Sequence, residues 1–162
     1  MGHVVTREEC VQTVKDLKAK GQKVVFTNGC FDILHRGHVE YLAKAKELGD
    51  LLVVGMNEDA SVSRLKGPER PFVPLADRAV VMAALSSVDY VVPFPEDTPY
   101  ELISVLIPDI LVKGADWPVD KVVGKDIVEA AGGSVQTIEF LPDRSTSSII
   151  ERIRLTPNPK GS

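Results

Sequence analysis

Between Phe26 and His38 the chain reads FTNGCFDILHRGH, which places two glycines, a thiol, an acid, an arginine and two histidines within one short stretch. Zinc would need a third ligand beside His35 and His38. Only Asp32 and the less suitable Cys30 stand near, and no Cys/His spacing elsewhere completes a zinc signature, so no metal site is expected. Cys30 as a nucleophile would need an activating base; a lone cysteine at a strand end reads instead as a small buried hydrophobe. What remains is anion chemistry. Gly29 lets the backbone N–H groups of Cys30 and Phe31 come close to a ligand, and His35 and His38, three apart around Gly37, can point the same way at a helix start. Imidazolium and backbone donors aimed at a phosphate suit phosphoryl or nucleotidyl transfer, which depends on positioning and charge neutralisation rather than on a side-chain nucleophile. A helix cap or a hydrogen-bonded core pair is the other reading of the two histidines.

Three further stretches carry candidate residues. DRSTSSII sets Ser145, Thr146, Ser147 and Ser148 at a helix N-terminus, where free N–H groups favour an anion or where the hydroxyls simply cap. KGPERP carries Lys66 and Arg70, readable as a solvated charge pair or as a clamp on a phosphorylated substrate, and Arg78 opens the same choice. In VKGADW, Lys113 and Gly114 leave a strand, while Asp116 and Trp117 can serve a base or a sugar, Trp117 reading rather as a packed surface anchor than as a stacking partner. Neither a Walker loop nor the dinucleotide fingerprint G-x-G-x-x-G occurs.

These stretches need a scaffold, and the periodicity predicts one. A T-x-x-E capping box at Thr6 and Glu9 opens a helix over 6–20. Strands are expected at Lys23–Thr27, LLVVGM, DYVVPF, DILVKG and SVQTIEF. Helices are expected at 38–48, 58–65, 75–85, 122–131 and 145–153, with another from a second capping box, Thr98 and Glu101, to Ile107. Strand and helix alternating in this way imply an α/β fold: a Rossmann-like, doubly wound, mainly parallel five-stranded sheet with helices on both faces. Such folds bind ligands at the C-terminal ends of the strands, where the candidate stretches fall. One domain over 1–155 with a flexible tail over 156–162 accounts for the length.

Nineteen basic and twenty-three acidic side chains give a net charge of −4, which argues against a broad nucleic-acid surface and leaves room for a focused anion pocket. Two cysteines without a CxxC, and no apolar run of membrane-spanning length, predict a soluble cytoplasmic protein with no membrane partner.

The run NGCFDILHRGHVEYLAKAKELGD, with His35-Arg36-Gly37-His38 after a G-x-F-D turn, resembles the HxGH nucleotidyltransferase superfamily. RLKGPERP, LIPDILVKGADW, AGGSVQTIEF and RSTSSIIERI are similar to the heptose 1-phosphate adenylyltransferase family, also found as one domain of a bifunctional heptose kinase/adenylyltransferase. The resemblance implies transfer of AMP from ATP to D-glycero-β-D-manno-heptose 1-phosphate, with Mg2+ carried mainly by the nucleotide phosphates. The products would be pyrophosphate and ADP-heptose for lipopolysaccharide core. It implies catalytic roles for His35, His38 and Lys66, and nucleotide binding by Asn28, Gly29, Cys30, Phe31, Gly37, Lys113, Gly114, Asp116 and Ser145 to Ser148. Asp32, Arg70 and Arg78 would bind substrate, and the assembly would be a homodimer or larger. A cytidylyltransferase acting on glycerol 3-phosphate, or a non-catalytic nucleotide-binding module, are the competing expectations.

Overall fold

The computed structural model describes residues 1–139 and 145–157. The expected strand end at Phe140, Arg144 of the DRSTSS stretch and residues 158–162 of the expected tail lie outside the described residues. Along the chain β1 (His3–Val4) is followed by α1 (Arg7–Ala19), β2 (Val24–Gly29), α2 (Arg36–Lys46) and β3 (Leu51–Asn57). Then come α3 (Asp59–Lys66), α4 (Leu75–Ala83), β4 (Tyr90–Phe94), α5 (Tyr100–Leu106) and β5 (Ile110–Gly114). A 3-10 turn at Val119–Lys121 leads to α6 (Lys125–Ala130), β6 (Ser134–Ile138) and α7 (Thr146–Leu155).

All strand pairs are parallel and the sheet order is β1-β4-β3-β2-β5-β6. The five expected strands are present, and β1 adds a two-residue edge beside Tyr90 and Val91. Both of its residues are exposed, so it carries no hydrophobic alternation by which a sequence could announce it.

Side-chain alternation along the strands feeds two cores. Val25, Leu52, Val54 and Val112 pack with Leu42 and Ala45 of α2 and with Ala79 and Met82 of α4. On the other face Val24, Phe26, Val53 and Leu111 pack with Cys10 and Val14 of α1, Leu102 and Ile103 of α5 and Val128 of α6. Helices on both faces are what parallel strands joined by crossovers require.

The sheet's order reverses at β2. The β2–β3 ladder runs from Val24↔Leu51 to Gly29↔Met56, whereas β2 and β5 pair only at Val25↔Ile110 and Phe26↔Leu111. Both strands continue past that last pair, so a crevice opens between them at the topological switch point, where open α/β sheets hold their ligands.

Several helix starts differ from expectation for local reasons. α2 begins at Arg36 rather than His38, because His35 itself caps it. The Thr6–Glu9 capping box forms, but the Thr98–Glu101 box does not: Pro99 occupies the cap position of α5 with no side-chain hydrogen bond. α6 starts at Lys125, after Gly124 takes the left-handed conformation at φ 86°. α3 extends through Lys66, which therefore stands on a helix end rather than in the following loop. Among the described residues no helix is long and apolar enough to cross a membrane.

Candidate active site

A cleft of about 550 Å³ opens at the C-terminal ends of β2, β3 and β5. Its floor is the turn Asn28–Asp32. Phe31 adopts φ 46°, a conformation that costs a non-glycine residue free energy and recurs at functional sites. Its ring folds back over Gly29, where a Cβ would sit 3.0 Å from the ring edge. Only glycine leaves the backbone bare at that point.

His38, on the first turn of α2, lines the cleft, while His35 is not among its lining residues. The two rings stack at 3.9 Å between centroids, and Phe31 meets His38 edge-on at 5.2 Å. The N–H of Gly37 donates to His35 Nδ1 at 3.1 Å, so in the neutral ring the proton sits on Nε2. Burial, reinforced by His35, pushes His38 down to about 4, and burial also lowers His35. The expectation of imidazolium donors is therefore corrected: near neutral pH His38 offers a neutral ring. His38 Nδ1 and Asn28 Oδ1 are both buried without a protein partner.

Asp32 and Arg70 line the cleft and hold each other, whereas Arg78 lies behind its wall. The Asp32 carboxylate is fully buried and accepts from the Phe72 and Val73 amides at 2.8–2.9 Å and from Arg70 Nε at 2.6 Å. Burial alone would raise its pKa, yet those amides and the guanidinium outweigh it and hold the carboxyl below its ordinary value. Arg78 was expected to bind substrate; the structure instead keeps its side chain out of the cleft and fully buried. It donates to the carbonyls of Val73, Cys30 and Asn57 and to Asp59 Oδ1. With its guanidinium used in this way, Arg78 ties the ends of β2 and β3 to the 67–74 loop.

The four hydroxyls of α7 divide. Ser145 and Ser148 form a capping box, whereas Thr146 and Ser147 line the cleft, Thr146 donating to the Ile33 carbonyl at 3.0 Å. Lys66, Lys113, Gly114, Asp116 and Trp117 line it as well. Burial lowers Lys113 to about 8 against the opposing pull of Asp116. Burial raises the Cys30 thiol despite nearby Lys66, Arg78 and Arg70, which leaves it protonated and unsuited to attack. Gly37 is buried in the first turn of α2, away from the cleft lining.

Sequence reasoning passed over Tyr41, Asn57 and Thr98, all of which line the cleft. Tyr41 lies three residues beyond His38 on one helix face, and Asn57 ends β3 beside the crevice. Both positions were readable from spacing. Thr98 was read as a cap, a role it does not take.

Residues 26–152 match the family model described as cytidylyltransferase-like. The chain is 58% identical over 147 residues to the bifunctional protein HldE of Syntrophotalea carbinolica, an alignment covering 91% of this chain and 30% of that protein. It thus spans about a third of the length of such curated relatives. A lipopolysaccharide core biosynthesis protein from Thermoplasma volcanium superposes with a TM-score of 0.61 at 30% identity, covering 75% of this chain and 98% of that one. The pantoate-beta-alanine ligase of Francisella tularensis shares the fold with a TM-score of 0.64 at 16% identity, over 91% of this chain and 69% of that one. Because the family model matches residues 26–152, most of its length, the chain belongs to the cytidylyltransferase-like family.

Proposed function

We propose that the chain is a nucleotidyltransferase that moves AMP from ATP to D-glycero-β-D-manno-heptose 1-phosphate, releasing pyrophosphate and forming ADP-heptose. The observation that carries nucleotidyl transfer is the convergence of the Asn28–Asp32 turn, His38, Lys66 and the first turn of α7 on one crevice. The choice of sugar rests on the motif resemblance of the sequence and on the 58% identity to bifunctional protein HldE.

In this reading an oxygen of the sugar phosphate attacks the α-phosphorus and forms the new P–O bond. The bond from the α-phosphorus to the bridging oxygen breaks, and its electron pair leaves with pyrophosphate. The attacking phosphate is already ionised, so no general base is needed. The backbone turn and His38 hold the α-phosphate, Lys66 neutralises charge on the phosphates, and the Ser147 hydroxyl with the backbone N–H groups of Thr146 and Ser147 donate to the phosphate chain. Magnesium binds through substrate phosphates with few protein ligands. Asp32 is already engaged by Arg70 and the Phe72 and Val73 amides, so the ion would be held mainly by the nucleotide phosphates. When bound, the ion would supply charge neutralisation on the phosphates.

The test is pyrophosphate release from ATP, CTP, GTP and UTP, each crossed with heptose 1-phosphate and glycerol 3-phosphate. Turnover confined to ATP with the heptose phosphate is expected. Turnover with CTP and glycerol 3-phosphate alone, or none with any pair, would overturn the reading.

A further inference from the structure

Two residues beyond the last β2–β5 pair, Phe26↔Leu111, stand Asn28 on one strand and Lys113 on the other. Side chains alternate along a strand, so both continue the row of Phe26 and Leu111 and emerge on the α1/α5/α6 face of the sheet. Gly55 corroborates this for Asn28, because a Cβ there would meet Phe26, Phe94 and the Cβ of Asn28 together. Both residues line the cleft, and Asn28 Oδ1 is buried without a partner. Among the described hydrogen bonds and ion pairs none engages Lys113 or Lys66, whereas Arg70 and Arg78 are each held by a carboxylate. His38 supplies no positive charge near neutral pH.

The geometry points to Lys113 as the second cation of the phosphate grip, facing the phosphate chain from the β5 wall of the crevice while Lys66 faces it from the end of α3. This deepens the proposed nucleotidyl transfer and rests on it for the identity of the anion. Around Lys113, Asp97 and Asp116 add negative charge, Arg70, Lys66 and Lys121 positive charge, and Cys30 and Tyr41 are raised by burial. The amine itself is brought by burial to about 8. Its protonated, anion-binding form therefore predominates below that value and is lost as the pH rises through it. ATP keeps constant charge across this window, its last phosphate ionisation lying near pH 6.

ATP binding measured by titration calorimetry from about pH 7 to 9, at fixed Mg2+, tests the assignment. Wild-type affinity should fall above about pH 8. Lys113→Met should bind at least about ten-fold more weakly at pH 7, as loss of a charged contact does, with no further fall above it. Lys113→Arg should hold its affinity to pH 9. Circular dichroism of each variant separates binding loss from unfolding. Wild-type affinity in Lys113→Met, an unchanged pH slope in Lys113→Arg, or absence of ATP binding to the wild type would overturn the assignment. ATP binding without AMP transfer to the sugar phosphate would instead overturn the proposed reaction and leave the role of Lys113 standing.

Discussion

His35 and His38 stack with their ring planes 27° apart and their centroids at 3.9 Å. Burial disfavours the charged ring of His38, the adjacent His35 adds repulsion at that separation, and His38 accordingly keeps its neutral form down to about 4. In the proposed reaction the stack would separate two tasks, the histidines contributing geometry and hydrogen bonds and the lysines contributing charge. His35, fixed at its Nδ1 by the Gly37 amide, sets the plane against which His38 rests.

His38→Ala should lower turnover by about 10²- to 10³-fold, the usual effect of removing one transition-state donor. Far-UV circular dichroism should be unchanged. Because the ring does not gain its proton until about 4, the wild-type rate should show no His38-dependent limb between pH 7 and 5.5. A rate falling with an apparent pKa near 6.5 would contradict the neutral assignment.

The same depression has a consequence for stability. In the unfolded chain the ring takes up a proton near 6.5, but in the folded protein only near 4, so the unfolded state binds more protons between those values. Stability attributable to His38 is complete above 6.5 and is lost as pH falls toward 4. Urea unfolding of wild type and His38→Gln over that range should show the wild type losing more; parallel curves would exclude the linkage.

Asp32→Asn should loosen the 67–74 loop, since the carboxylate gathers Arg70 and two backbone amides. Removing one partner of a buried pair leaves the other uncompensated, and with Arg70 still 17% exposed the cost is expected at about 2–3 kcal/mol. The lowered carboxyl of Asp32 contributes stability above its ordinary pKa and loses it as pH falls through the folded value. Limited proteolysis within 67–74, faster in the variant, is the direct readout.

The sheet was legible because five strands are apolar runs bounded by turn residues, and the switch-point rule then located the site. β1 was not, being two exposed residues held by an edge. The functional reading of Arg78 failed for a different reason. A guanidinium near a glycine turn looks the same in sequence whether it meets a ligand or three carbonyls, and only the fold shows that Cys30, Asn57 and Val73 present theirs to Arg78. The hydroxyl run at 145–148 was similarly ambiguous: position along one helical turn, invisible in composition, assigns two of them to the cap and two to the cleft.

Arg78→Lys should be nearly as damaging as Arg78→Ala. A single ammonium cannot reproduce donors directed at three carbonyls and a carboxylate, and buried acceptors left unpaired cost about 1–3 kcal/mol each. Denaturant midpoints of both variants should drop together by an amount corresponding to about 2–4 kcal/mol. Full retention of stability by the lysine variant would show that charge alone is what the site uses.

Lys66→Ala offers the complementary case. Lys66 ends α3, is exposed, lines the cleft and makes no described hydrogen bond or ion pair, so the fold should lose no more than about 0.5 kcal/mol. Its charge has work only when a phosphate is present, and kcat/KM should fall by about ten-fold or more, the value of a charge-assisted contact. The partition between the parameters is informative: a rise in KM alone places Lys66 on a phosphate whose charge does not change during the reaction, whereas a fall in kcat places it where charge develops. Raising the ionic strength should narrow the gap between variant and wild type, because an exposed cation acting through space is screened while the buried Asp32–Arg70 pair is not.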